Sequence, residues 1–223
     1  MVAELRAAGA DLRHVDTWLF DLDNTLYPLD SGLAERVSAR ITLFVERLTG
    51  LPSAEAHVLQ KRYLAEHGLT LRGLMDHHGV DPHAYHAFLE QTPIDCLRPD
   101  PALAAALAGL PGRRLVFTNA DDRHAERVLD HLGLSDLFAD IFHIACAEFL
   151  PKPDPECFAR IIAAHAIIPA RTAFFDDAPR NLAPAAALGM TTVLVGPAAL
   201  GEAPAFVDHL APELTQFLTS RRT

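Results

Sequence analysis

From residue 100 onward the chain alternates short apolar runs with helix-like segments, and that rhythm admits few architectures. Asp100-Pro101 reads as an N-cap followed by proline at the first helical position, opening ALAAALAGL. Pro111-Gly112 marks a turn, and Leu115-Val116-Phe117-Thr118 reads as a strand. Asp121 or Asp122 caps a helix through Leu132, which Gly133 ends. Ile141-Phe142-His143-Ile144 is the next apolar run, and Asp154-Pro155 opens a helix through about His165. Thr172-Ala173-Phe174-Phe175 is a strand, Pro179 to Leu188 a helix stopped by Gly189, and Thr191 to Val195 the last strand. With the earlier apolar run Trp18-Leu19-Phe20, this predicts an α/β fold. It has a Rossmann-like parallel sheet with helices on both faces.

Residues 31–95 break the rhythm. Leu33, Val37, Ile41, Val45 and Leu48 keep helical spacing, and 53–66, about 70–78 and 82–90 also read as helices, the last opened by Asp81-Pro82. No strand is evident among them. The expected organisation is an N-terminal extension over 1–16, a core domain made of 17–30 and 96–223, and an inserted all-helical cap over 31–95.

Composition narrows the function classes. The chain has 223 residues and a net charge of −10, a poor match to nucleic-acid polymers or anionic membranes. The first residues lack the apolar stretch of a secretory signal, and no apolar run reaches the roughly 18–20 residues of a membrane helix. A cytoplasmic protein is expected. Cys96, Cys146 and Cys157 are widely spaced with no C-x-x-C pair, so they read as free thiols. Nothing in the sequence fixes an oligomeric state.

The stretch FDLDNTLYP, residues 20–28, places Asp21 and Asp23 where an apolar strand ends. Side chains at i and i+2 of an extended segment point the same way, and two like charges resist shared burial. Sites in an open parallel sheet form beyond the carboxyl ends of its strands. There the chain sets Asp21 and Asp23, Thr118 and Asn119, a loop leading to Lys152, and Asp176 with Asp177. Four carboxylates against one lysine leave negative charge, which calls for a divalent cation. Hard oxygen ligands beside a lysine and a hydroxyl point to Mg2+ and a phosphoryl group. A carboxylate beside the metal can act as nucleophile and form an aspartyl-phosphate. A second carboxylate two residues on can protonate the leaving oxygen and later activate water.

These motifs resemble, in order and over nearly the whole chain past residue 16, the haloacid dehalogenase superfamily of phosphohydrolases. FDLDNTLYP is similar to its D-x-D-x-T motif, VFTNA with Thr118 to its second, LPKPDPECF with Lys152 to its third, and FFDDAPRNL with Asp176 and Asp177 to its fourth. The helical insert resembles the family's C1-type cap. The resemblance implies Asp21 as nucleophile and Asp23 as acid/base. It implies magnesium held by Asp21, the Asp23 carbonyl and Asp177, with Asp176 acting through water or steadying the shell. It implies Thr118, Asn119 and Lys152 around the phosphoryl group. Asn181 stands where many relatives carry an acid.

FDLDNTLYP, HGLTLRGLMDHHGVDP and FTNADDRHAERVLDHLGL together resemble the pyrimidine 5′-nucleotidase branch, which implies UMP- and CMP-like substrates. Arg72, with Gly73 in a turn-like stretch of the insert, is a candidate substrate contact, and so is His124. His77, His78, His83 and His86 lack the carboxylate pattern of a metal site. A phosphatase or mutase acting on a sugar phosphate uses the same core residues. A dehalogenase needs neither Asp23 nor the Asp176-Asp177 pair, a phosphonatase needs a cap lysine for which only Lys61 is available, and a receiver-like signalling module is shorter and groups its acids at the first strand.

Overall fold

The computed structural model describes residues 11–220. Its sheet has six parallel strands in the order β3-β2-β1-β4-β5-β6. They are β1 (Thr17–Phe20), β2 (Arg113–Phe117), β3 (Asp140–Phe142), β4 (Thr172–Asp176), β5 (Thr191–Val195) and β6 (His209–Ala211). The order reverses at β1, between β2 on one side and β4 on the other. A crevice opens beyond the carboxyl ends at such a point, because the connections leave in opposite directions.

Period-2 alternation divides the strand residues between two cores. Trp18, Phe20, Val116, Phe175 and Val193 pack on one face, and Leu19, Leu115, Phe117, Phe174 and Leu194 on the other. Burial on both faces explains why the strands read as continuous apolar runs. The first face is covered by α5 (Pro101–Ala108), α6 (Asp122–Leu132) and α9 (Leu214–Ser220), the second by α7 (Pro155–His165) and α8 (Pro179–Ala187). The Asp-Pro pairs behave as read. Asp81, Asp100 and Asp154 each accept a backbone N–H at the start of the helix they open.

Between β1 and β2 lie α1 (Leu33–Thr49), α2 (Ser53–His67), α3 (Thr70–His78) and α4 (Pro82–Leu89). They bury a core of their own around Val45, Tyr63, Leu71, Leu74 and Tyr85. Gly73 lets α3 approach α2. A Cβ there would lie 2.5 Å from Tyr63 Cγ. Arg72 and Gly73 are therefore inside a helix, not in a turn.

Other departures from the sequence reading are local. The third strand ends at Phe142, because Ile144 N–H leaves the ladder to bond the Ala120 carbonyl and the chain turns toward Lys152. Val195 does not close the sheet, since His209–Ala211 adds an edge strand against Val193–Val195 and α9 follows it. Three residues are too few for a readable alternation. Of the expected N-terminal extension, residues 1–10 lie outside the described residues, and Leu12 and Val15 pack into the first core.

Candidate active site

Lys152 is the centre of the site. It is 1% exposed, and its ammonium donates to Asp21 Oδ1 at 2.8 Å, Asp176 Oδ2 at 2.9 Å and the Phe117 carbonyl at 2.6 Å. All three hydrogens are thereby used. The rings of Phe117 and Phe174 stand 4.9 and 5.2 Å from Nζ. Burial opposes the charge, but Asp176 and Asp21 outweigh it and raise the lysine above its ordinary value. Lys152 reaches this point from a loop fixed by Asn119. The Asn119 amide donates to the Lys152 carbonyl at 3.2 Å and accepts its N–H at 2.8 Å.

Asp21 continues β1 at the reversal point, and its backbone N–H bonds the Phe175 carbonyl of the next strand. Burial raises its carboxyl well above the usual range. Lys152 pulls it down, while Asp176, Asp177 and Asp23 add repulsion. Asp176 ends β4 with both oxygens occupied. Oδ1 accepts from Ala178 N–H and Asn181 Nδ2, both at 2.9 Å, and Oδ2 accepts from Lys152 and from Asn181 Nδ2 at 3.1 Å. Asn181, standing where an acid was expected, thus braces Asp176. Asp177 is pushed up to about 6, first by burial and then by Asp176.

Asp21, Asp176 and Asp177 each offer an oxygen within 4.8 Å of the others, a three-carboxylate group with hard donors. The Oδ1 atoms of Asn24 and Asn181 are buried with no hydrogen-bond partner. Uncompensated negative charge, hard oxygen donors and orphaned acceptors fit a hydrated divalent cation. Among the described residues no second group of this kind occurs, so His77, His78, His83 and His86 do not assemble with acids into a metal site.

Asp23 faces a different surrounding. Its Oδ1 accepts from the Tyr27 hydroxyl at 2.5 Å and from His124 Nε2 at 2.9 Å. Burial alone would raise this carboxyl, yet His124 and the Tyr27 hydroxyl hold it below its ordinary value. So the two aspartates, two residues apart, are driven in opposite directions. Asp21 is drawn toward the carboxylate cluster and Lys152, and Asp23 toward the Tyr27 hydroxyl and the His124 ring. Tyr27 lies four residues after Asp23 in a chain that turns instead of extending, and its polar tip was the one signal available for it.

Asp23, Tyr27, Asn119 and His124 line a cavity of about 300 Å³ between the sheet and the helical insert. Its far wall is largely apolar, with Val37, Ile41, Leu64, Leu69, Tyr85 and Leu89. Thr118 is buried at the end of β2, and its hydroxyl accepts the Ala120 N–H at 3.0 Å. Asn119, expected at the phosphoryl group, lines the cavity and bonds the Lys152 backbone through its amide oxygen and one amide hydrogen. Arg72 is not among the cavity-lining residues. Its Nε pairs with Asp76 Oδ2 at 3.0 Å on its own helix. Lys61 is exposed and donates to Ser38 Oγ at 3.1 Å.

Residues 15–189 match the family model of haloacid dehalogenase-like hydrolases. Phosphate metabolism protein 8 of Saccharomyces cerevisiae is 30% identical over 193 residues, which cover 79% of this chain. The match spans 60% of the yeast protein's length. A haloacid dehalogenase-type phosphatase from Thermococcus onnurineus superposes with a TM-score of 0.66 at 20% identity, covering 94% of this chain and all of that one. The Bacillus subtilis hydrolase YfnB, solved bound to magnesium, gives 0.62 at 18% identity over 92% and 97% of the two chains. L-2-haloacid dehalogenase from Xanthobacter autotrophicus gives 0.58 at 16% identity over the same shares. These structural likenesses speak for the fold.

Proposed function

The chain belongs to the haloacid dehalogenase-like hydrolases, and we propose that it is a magnesium-dependent phosphomonoester hydrolase working through an aspartyl-phosphate on Asp21. The observation that carries this reading is the opposed pair, a lysine-bound Asp21 inside the carboxylate cluster and an Asp23 held outside it by two donors. A dehalogenase has no use for Asp23 so placed. Asp21 attacks phosphorus, and the bond to the ester oxygen breaks with a proton delivered by Asp23. Asp23 then takes a proton from the water that cleaves the aspartyl-phosphate, which returns Asp21 and releases phosphate. The Lys152 charge offsets that of Asp21 and the phosphoryl group it attacks, and the Thr118 hydroxyl, free to donate, holds a phosphoryl oxygen. Asp21, the Asp23 carbonyl and Asp177, with Asp176 behind them, would hold magnesium, which would supply further charge neutralisation.

The phosphoryl group sits at the strand ends, so the leaving group extends into the cavity under the helical insert, which acts as a cap. A compact space with one mostly apolar wall suits a flat heterocycle on a sugar better than a hexose, whose hydroxyls would all need partners. Together with the resemblance carried by FDLDNTLYP and FTNADD, this favours a pyrimidine nucleoside 5′-monophosphate, UMP or CMP.

The test is phosphate release from UMP, CMP, dTMP, AMP, GMP, glucose phosphates and phosphoglycolate. It is run with magnesium, after chelation, and with Asp21→Asn. Preference for UMP and CMP, lost on chelation and in the variant, is the expected result. Turnover that survives thorough chelation contradicts the mechanism. A sugar-phosphate profile, or phosphoryl transfer retained from a bisphosphate, keeps Asp21 and replaces the substrate.

A further inference from the structure

Two side chains from separate parts of the fold converge on one oxygen of Asp23. Tyr27 comes from the loop after β1 and donates through its hydroxyl at 2.5 Å. His124 comes from the first turn of α6, a hundred residues further on, and donates through Nε2 at 2.9 Å. Both bonds fall on Oδ1. The carboxyl is thus fixed in rotation, with Oδ2 left for the reacting oxygen. A carboxyl held by neither donor would turn freely about its last bond, and an acid 1 Å out of place loses much of its effect.

The donors are themselves held. Tyr27 is 4% exposed in the first core. The His124 backbone N–H bonds Asp121 Oδ1 at 2.8 Å, which fixes the helix start that carries the ring. Asp121 Oδ2 in turn lies 2.7 Å from Nδ1 of His86 on α4 of the insert. The clamp on Asp23 is therefore braced from the first core and from α6, whose cap residue stands against the insert at His86.

We infer that His124, seconded by Tyr27, is a positioning residue that presents Asp23 Oδ2 to the leaving-group oxygen. The inference rests on the phosphatase reading above and deepens it, because nothing in that reading requires a second residue behind the acid. Its consequence is selective. Protonation matters when an alkoxide must leave and hardly matters when p-nitrophenolate leaves. The ratio kcat/KM reports only steps up to departure of the leaving group, so it isolates the acid step from later hydrolysis.

The experiment measures kcat/KM for an alkyl ester, UMP, and for p-nitrophenyl phosphate, with magnesium, in wild type, Asp21→Asn, His124→Ala, His124→Gln and Tyr27→Phe. His124→Ala is expected to lower the UMP value by roughly 10–100-fold and the aryl value by less than about threefold, since general acid catalysis is worth about 10²–10⁴-fold in full. His124→Gln, whose amide can reach the same oxygen, is expected to restore most of the loss. Tyr27→Phe keeps the buried ring and should show the same selectivity, smaller in size, so the answer does not depend on one variant folding. Equal losses on both esters overturn the inference, and so does a glutamine that rescues nothing. A wild type active on either ester but inactive as Asp21→Asn preserves the phosphatase reading whatever the His124 variants do. A wild type inactive on both sinks that reading and the inference with it.

Discussion

Asp177→Asn should stabilise the metal-free protein. Burial and the neighbouring Asp176 raise the Asp177 carboxyl from 3.8 to about 6. A group whose folded pKa lies above its unfolded value is destabilising when ionised. The cost is absent while both states are protonated, accrues as pH rises from about 4 to about 6, and is complete above that. The full difference corresponds to about 3 kcal/mol, and solvent reaching this partly exposed side chain reduces it to roughly 1–3 kcal/mol. Asparagine removes the charge but keeps an oxygen acceptor for Asn24, whose side chain bonds Asp177 in the wild type. The assay is thermal unfolding in EDTA at pH 7.5 and at pH 4.5. At pH 7.5 the variant is expected to melt roughly 2–12 °C above wild type, taking about 2–4 °C per kcal/mol for a chain of this size. At pH 4.5 the gap should shrink to about a third of that. Magnesium should then raise the melting temperature of wild type and not that of the variant. A variant no more stable than wild type in EDTA at pH 7.5 would refute the claim that the cluster carries uncompensated charge.

Two further substitutions probe what holds the site in place. Asn119→Ala removes both bonds that fix the Lys152 backbone, so urea unfolding should show a loss of about 1–3 kcal/mol, and kcat should fall with Asp21 intact. Gly73→Ala puts a Cβ 2.5 Å from the Tyr63 ring. The overpacking should cost roughly 1–3 kcal/mol and loosen the insert, seen as faster amide exchange in α2 and α3 before any change in the sheet.

The parallel sheet was legible because its strands are buried on both faces, which turns each into a short apolar run between caps. Asp-Pro and the closing glycines then marked the helix ends. The carboxylates and Lys152 were legible from their place at strand ends, since topology fixes where such ends meet. The missed pieces have a common cause. His209–Ala211 is three residues long, too short for periodicity to register. The pairing of Tyr27 and His124 with Asp23 spans up to 101 positions, and no local pattern encodes a contact between a loop and a distant helix start. Asn119 is a subtler case. Its position beside Thr118 predicted a place near the phosphoryl group; the structure sets it on the cavity wall with its amide on the Lys152 backbone, and the direction of an amide depends on which backbone lies within reach.

Composition carried one more signal than its totals suggest. The chain uses arginine almost everywhere, with Lys61 and Lys152 its only lysines. Lys61 is exposed, where either cation would serve. At position 152 the choice is forced. Three acceptors lie 2.6–2.9 Å from a single nitrogen, and two phenylalanine rings close around it. An ammonium is a compact charge with three donors and matches that count. A guanidinium is a flat fork with five and would leave donors buried without partners. In a chain biased toward arginine, a lysine that is wholly buried therefore marks a place where geometry, and not base composition, selected the residue.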